Sequence, residues 1–206
     1  MGLDLTLCMA DWKHLGGVPV VQRIQALGDA TLWAADDEGY QSGRTAGSWL
    51  WPPDREAAWC AEYDFRSTSG SFAPHARAGD AWDDMRPLAD ASLRAAVDAF
   101  LTGLIWDEDP ADDPAPSGGG GFFPPAADRW RSSVLLVCPP EALPGKVRAW
   151  ARAECRLEEL REAFAAECEG WAGRPASFEH FIALLREWGD ITTEAARRGW
   201  GLVGLP

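Results

Sequence analysis

The run Trp59-Cys60-Ala61-Glu62-Tyr63-Asp64-Phe65-Arg66 sets Trp59, Ala61, Tyr63 and Phe65 in one alternating set and Cys60, Glu62, Asp64 and Arg66 in the other. Successive side chains of a strand point to opposite faces, so this pattern is that of a strand with one apolar face. The competing reading is a helix beginning near Asp54, for which Glu56, Ala57 and Ala58 are weak support. The strand reading makes the chain α+β, because further strand signals lie at both ends of it. Leu3, Leu5 and Leu7 alternate with Asp4, Thr6 and Cys8 over residues 2 to 8, and Trp200 to Leu205 follows the helix stop Gly199. Ser133-Val134-Leu135-Leu136-Val137-Cys138, closed by Pro139 and Pro140, is a near-continuous apolar run and predicts a strand buried on both faces, central in the sheet.

Helical spacing fills much of the rest. Pro19, Val20, Ile24 and Leu27 predict a short helix over 19 to 27 that ends at Gly28. Leu88, Val97, Phe100, Leu101, Leu104 and Ile105 predict one over 85 to 106, with Asp84 or Asp90 as its N-cap. Val147, Trp150, Ala153, Leu157, Leu160, Phe164, Cys168 and Trp171 recur at three- and four-residue steps, and predict the longest helix over 144 to 171. Its basic residues fall mainly in the first half and its acids in the second, against the helix dipole, so it needs compensation from neighbouring elements or from a partner. Ser177 caps a following helix, and Asp190 is read as the cap of a further short one. Residues 33 to 53 read as mostly loop around Trp49-Leu50-Trp51, and Ser67 to Ser71 as a turn. The expected architecture is a small mixed or antiparallel sheet covered by the two long helices, in one domain spanning 1 to 206.

One segment interrupts it. Residues 107 to 125 combine Asp107, Glu108, Asp109, Asp112 and Asp113 with Gly118 to Gly121 and five prolines, the composition of a flexible loop. Residues 1 to 120 carry 8 Lys+Arg against 20 Asp+Glu, and residues 121 to 206 carry 11 against 12, so nearly all of the net charge of -13 lies in the first part. An acidic chain repels phosphate backbones, which disfavours nucleic acid as a partner and suits a basic protein partner or simple solubility. Two lysines against seventeen arginines, with no asparagine, is a bias that GC-rich bacterial coding imposes. Five cysteines without a CxxC pair or a zinc-ligand cluster fit a reducing cytoplasm. No apolar run is long enough to span a bilayer, no phosphate-binding glycine motif or HExxH occurs, and no cofactor is expected.

The expected site is the stretch from Arg66 to Arg86, where a strand end, a Ser/Gly turn and several titratable groups fall close together on what reads as a loop. His75 is the candidate general base, oriented by Asp80 or Asp83, with Ser69 as candidate nucleophile and Ser71 and Arg86 as candidate binding groups. The alternative is that these are turn formers, an exposed histidine and a helix cap, since no GxSxG elbow accompanies them. Trp49 and Trp51, two residues apart, would share a strand face and offer a stacking shelf, although twelve tryptophans make core use the default. Two functions follow from these residues. The first is a non-enzymatic acidic binding protein, of inhibitor or immunity type, for a basic protein partner; the second is a hydrolase or transferase built on Ser69 to Arg86.

Overall fold

The computed structural model describes residues 4–31, 46–53, 58–66, 68, 70–107, 121–124 and 134–206. Five strands form one sheet: β1 (Thr6–Ala10), β2 (Ser48–Leu50), β3 (Cys60–Asp64), β4 (Leu136–Cys138) and β5 (Gly201–Leu205). Their order is β2-β3-β1-β5-β4, and every pairing is antiparallel. The two strands at the ends of the sequence therefore lie side by side in the middle of the sheet, with Cys8 opposite Val203.

The strand reading of residues 59 to 65 holds. Ala61, Tyr63 and Phe65 enter the larger core together with Leu5, Leu7, Met9, Leu136, Cys138 and Leu202. The opposite face is also covered: Cys8, Ala10, Cys60, Val137 and Val203 pack with Leu15 and Leu27 in a second cluster. Burial on both faces explains why β1 is not polar on alternate residues. Trp49-Leu50 pairs with Tyr63 and Glu62 as an edge strand, where a loop was expected. Turn formers dominate the neighbouring residues, but three residues with an aromatic and a leucine are enough to extend the ladder. The apolar run at 133 to 138 gives β4, which pairs only with β5 among the described residues. It is an edge strand and not a central one, since covering both faces demands apolar side chains without demanding a neighbour on each side.

Helices cover the sheet. On the smaller-cluster side lie α1 (Trp12–Gly16), capped by Asp11, and α2 (Arg23–Thr31), which follows a 3-10 turn at Val20–Gln22 and runs through Gly28. On the larger-core side lie α3 (Ala73–Met85), α4 (Ala91–Leu101), α5 (Leu143–Ala153), α6 (Arg161–Glu167) and α7 (Phe178–Arg198). The chosen cap for α4 is Asp90, whose Oδ1 accepts from the Ser92 and Leu93 amides. The long periodic segment from 144 to 171 is three pieces, because Glu154–Leu160 tightens into 3-10 geometry between α5 and α6. Its reversed charge is absorbed by α4: Lys146 Nζ donates to the Ala99 and Thr102 carbonyls at the end of α4, and Arg156 binds Asp90 and Ser92 at its start. Asp190 caps nothing, for α7 continues unbroken from its Ser177 cap to Gly199, which adopts the left-handed conformation (φ 69°). Within the 107 to 125 segment, residues 108 to 120, on which the expectation of flexibility rests, lie outside the described residues.

Candidate functional site

The stretch expected as a site loop is the helix α3. Pro74 sits in its first turn, where a missing amide costs nothing, and Ser71 Oγ accepts from the Ala73 amide just before it. His75, Ala78, Trp82 and Met85 then fall at helical spacing on the buried face.

That register separates the predicted residues. His75 is fully buried: its ring meets Phe65 edge-on with centroids 4.5 Å apart, and its Nδ1 accepts from Trp188 Nε1 at 3.1 Å. Burial among neutral rings pushes its pKa down to about 4. Because Nδ1 accepts, the ring proton sits on Nε2, which has no partner among the described residues. Asp80 and Asp83 lie on the exposed side of the same helix, turned away from His75. Ser69 lies outside the described residues. Ser71 forms a bridge with Asp4 at the rim of the sheet. Arg86 holds Asp98 at 2.9 Å, which also accepts from the indole of the buried Trp82, and its guanidinium lies over the Trp106 ring at 5.2 Å. Trp49 packs edge-on against Tyr63, and Trp51 is covered by Arg198 at 4.3 Å. Both indoles are thus half-buried in the edge of the main core.

What α3 does bring together is an acidic cleft. Asp80, Asp83 and Asp107 line it with the Trp106 indole, Phe72 and Leu104, and its volume is about 320 Å³. The turn after α4 forms its second wall: Gly103 takes a positive φ of 70°, and its amide donates to Asp107 Oδ1 at 3.1 Å. Trp106 is anchored across the cleft by an indole hydrogen bond to Asp83 Oδ1 of 3.3 Å. Close approach of the two walls requires Gly79, since a Cβ there would collide with the Ile105 carbonyl oxygen. Asp80 is drawn partly toward Arg174 at 3.6 Å, while Asp84, one turn further along, holds that guanidinium at 2.6 Å. The Trp106 ring is buried and already covered by the Arg86 guanidinium, so what the cleft offers an incoming guanidinium or ammonium group is its carboxylates beside apolar surface.

Sequence reading missed Trp106 and Asp107, because one looks like the end of a core stripe and the other like the start of an acidic linker. The available signal was Gly103, a glycine placed to turn the chain just before them. A buried carboxylate also escaped notice. Glu187, 6% exposed, accepts from the Arg66 amide at 2.9 Å and from the Tyr63 hydroxyl, and burial raises its pKa. It ties α7 to the end of β3. No group of three or more metal-ligating side chains occurs among the described residues, and no helix there is long and apolar enough to cross a membrane. No protein-family model, no curated protein and no solved structure matches this chain.

Proposed function

We propose that this protein is a non-enzymatic binding protein for a basic protein partner, of inhibitor or immunity type, acting in a reducing cytoplasm. The observation that carries the reading is the cleft in which Asp80, Asp83 and Asp107 surround the edge of Trp106. It has the size of a long cationic side chain with room for its neighbours, and it belongs to the part of the chain that carries nearly all the net charge. Charge of one sign around a docking cleft accelerates encounter with an oppositely charged partner and rejects nucleic acid. The hydrolase or transferase reading finds less to rest on, as His75 has one nitrogen occupied by Trp188 and no exposed surface.

The test is calorimetric titration with a short arginine-rich peptide and with its glutamate-for-arginine counterpart. The arginine peptide should bind and the glutamate peptide should not, with affinity falling steeply from low to physiological salt. Asp80→Asn together with Asp107→Asn should weaken binding about tenfold, which corresponds to ~1.4 kcal/mol. Equal binding of the two peptides, or an affinity flat in salt, overturns the reading.

A further inference from the structure

The other side of α3 carries a pocket of opposite character. About 230 Å³ in volume, it lies between the start of α3 and the start of α7. Its floor and walls are apolar, made by Pro74, Pro175, Phe181 and Leu184, and its polar lining comes from the guanidinium groups of Arg77 and Arg174 and from His180. The two guanidinium groups are not equivalent. Arg174 is already engaged by Asp84 at 2.6 Å and Asp80 at 3.6 Å, so its charge is matched within the fold. Arg77 is exposed and makes no ion pair or side-chain hydrogen bond among the described residues, and no carboxylate lines the pocket. One unmatched guanidinium therefore faces a compact apolar cavity in a protein whose overall charge is strongly negative.

We propose that this pocket binds a small organic monocarboxylate. Its apolar body lies against Pro74, Pro175, Phe181 and Leu184, and its carboxylate pairs with Arg77 beside His180. The fork of N–H groups on a guanidinium matches a carboxylate in two parallel hydrogen bonds, which makes the pairing both stronger and more directional than that of a lysine. The volume lies below the usual range for drug-sized ligands, which limits the body to about one ring or a short branched chain. The apolar walls exclude a bare inorganic anion as the preferred ligand, since it would leave them uncovered. This site shares no lining residue with the acidic cleft, and the one ion pair that links them is Arg174 of the pocket with Asp80 of the cleft.

The experiment titrates the full chain with benzoate and follows the amides of residues 174 to 184 by two-dimensional NMR. Benzyl alcohol, benzylamine and acetate serve as probes that lack, in turn, the charge, the sign of the charge and the apolar body. Benzoate should bind saturably in the millimolar range or below, with shifts confined to the pocket, and each of the three other probes should bind at least tenfold more weakly. Arg77→Gln should weaken benzoate at least tenfold, and Arg152→Gln, an exposed arginine on α5, should leave it unchanged. Absence of saturable benzoate binding, equal affinity for benzyl alcohol, or an Arg77→Gln protein that binds as the wild type would each overturn the proposal. None of these outcomes bears on the arginine peptide, so failure here and failure at the acidic cleft are separately visible.

Discussion

His75 illustrates how neighbours, and not residue type, decide what an imidazole can do. Phe65, Phe72 and Trp188 surround it, all neutral, so nothing on the packed elements offsets the cost of charging it. A second ring proton would also point an N–H at the N–H of Trp188 and destroy the 3.1 Å hydrogen bond. Its pKa falls from 6.5 to about 4, and between those values the unfolded chain holds a proton that the folded one refuses. Stability from this group is therefore complete above about pH 6.5, declines as the pH falls toward 4, and changes no further below that. At ~1.4 kcal/mol per pKa unit the decline amounts to roughly 3 kcal/mol. Other carboxylates titrate in the same range, so the comparison that isolates His75 is with His75→Gln, which can still accept from the indole but does not ionise. Urea midpoints measured from pH 7 to pH 4 should drop more steeply for the wild type than for this variant. Parallel slopes would mean that the ring takes up its proton in the folded state, as an exposed or catalytic histidine would.

At the scale of elements, legibility followed apolar periodicity wherever the apolar residues were large. Phe178, Phe181, Ile182, Leu185 and Trp188 announced α7, and Tyr63 and Phe65 announced β3. Helix α3 escaped because its inward positions up to the last turn are His75, Ala78, Gly79 and Ala81, which read as polar or featureless, with Trp82 and Met85 following only near its end, and because Pro74, Gly79 and three aspartates look like loop chemistry. Small inward residues are what let α3 lie close to the Trp106 turn, so the feature that builds the cleft is the one that hides the helix. The same logic governs the middle of α7. Gly189 and Asp190 suggest a helix break, yet Gly189 is there because the Trp150 indole of α5 rests against its backbone, and a Cβ would overlap the ring. Alanine at 189 would gain about 1 kcal/mol in helix propensity but lose roughly 1–3 kcal/mol to overpacking, so Gly189→Ala should lower stability. Trp150→Phe, whose smaller ring lacks the Nε1 and Cζ2 atoms that a Cβ at 189 would meet, should reduce the cost of the second substitution, giving a coupling of ~1 kcal/mol in a double-mutant cycle of chemical denaturation. Additive effects would show that the two helices are not in register at this point.

For the whole molecule, the sheet order and the two-sided burial of its centre could not be read from the chain, because alternation says which residues share a face and not which strand lies beside which. Net charge was legible directly, and it acts on folding and on binding in ways that salt should separate. Thirty-two acids against nineteen basic residues make the compact state repel itself, whereas the ion pairs among described residues lie mostly at half-exposed sites such as Arg156–Glu159 and Arg161–Glu179. Exposed pairs contribute about 0–1 kcal/mol each and weaken with ionic strength, so the balance turns on whether diffuse repulsion or these local attractions is the larger. Among the described residues most of the paired arginines lie after residue 120, where charge is nearly balanced, and of these only Arg156 and Arg174 reach carboxylates of the acidic first part. Screening should therefore relieve more repulsion than attraction, and Tm should rise as sodium chloride goes from low to physiological concentration. Over the same range the affinity for an arginine-rich peptide should fall, because that attraction is what the salt screens. A Tm that falls alongside the affinity would place the local ion pairs above the net charge in importance, and would remove the whole-molecule field as the source of any preference for a basic partner.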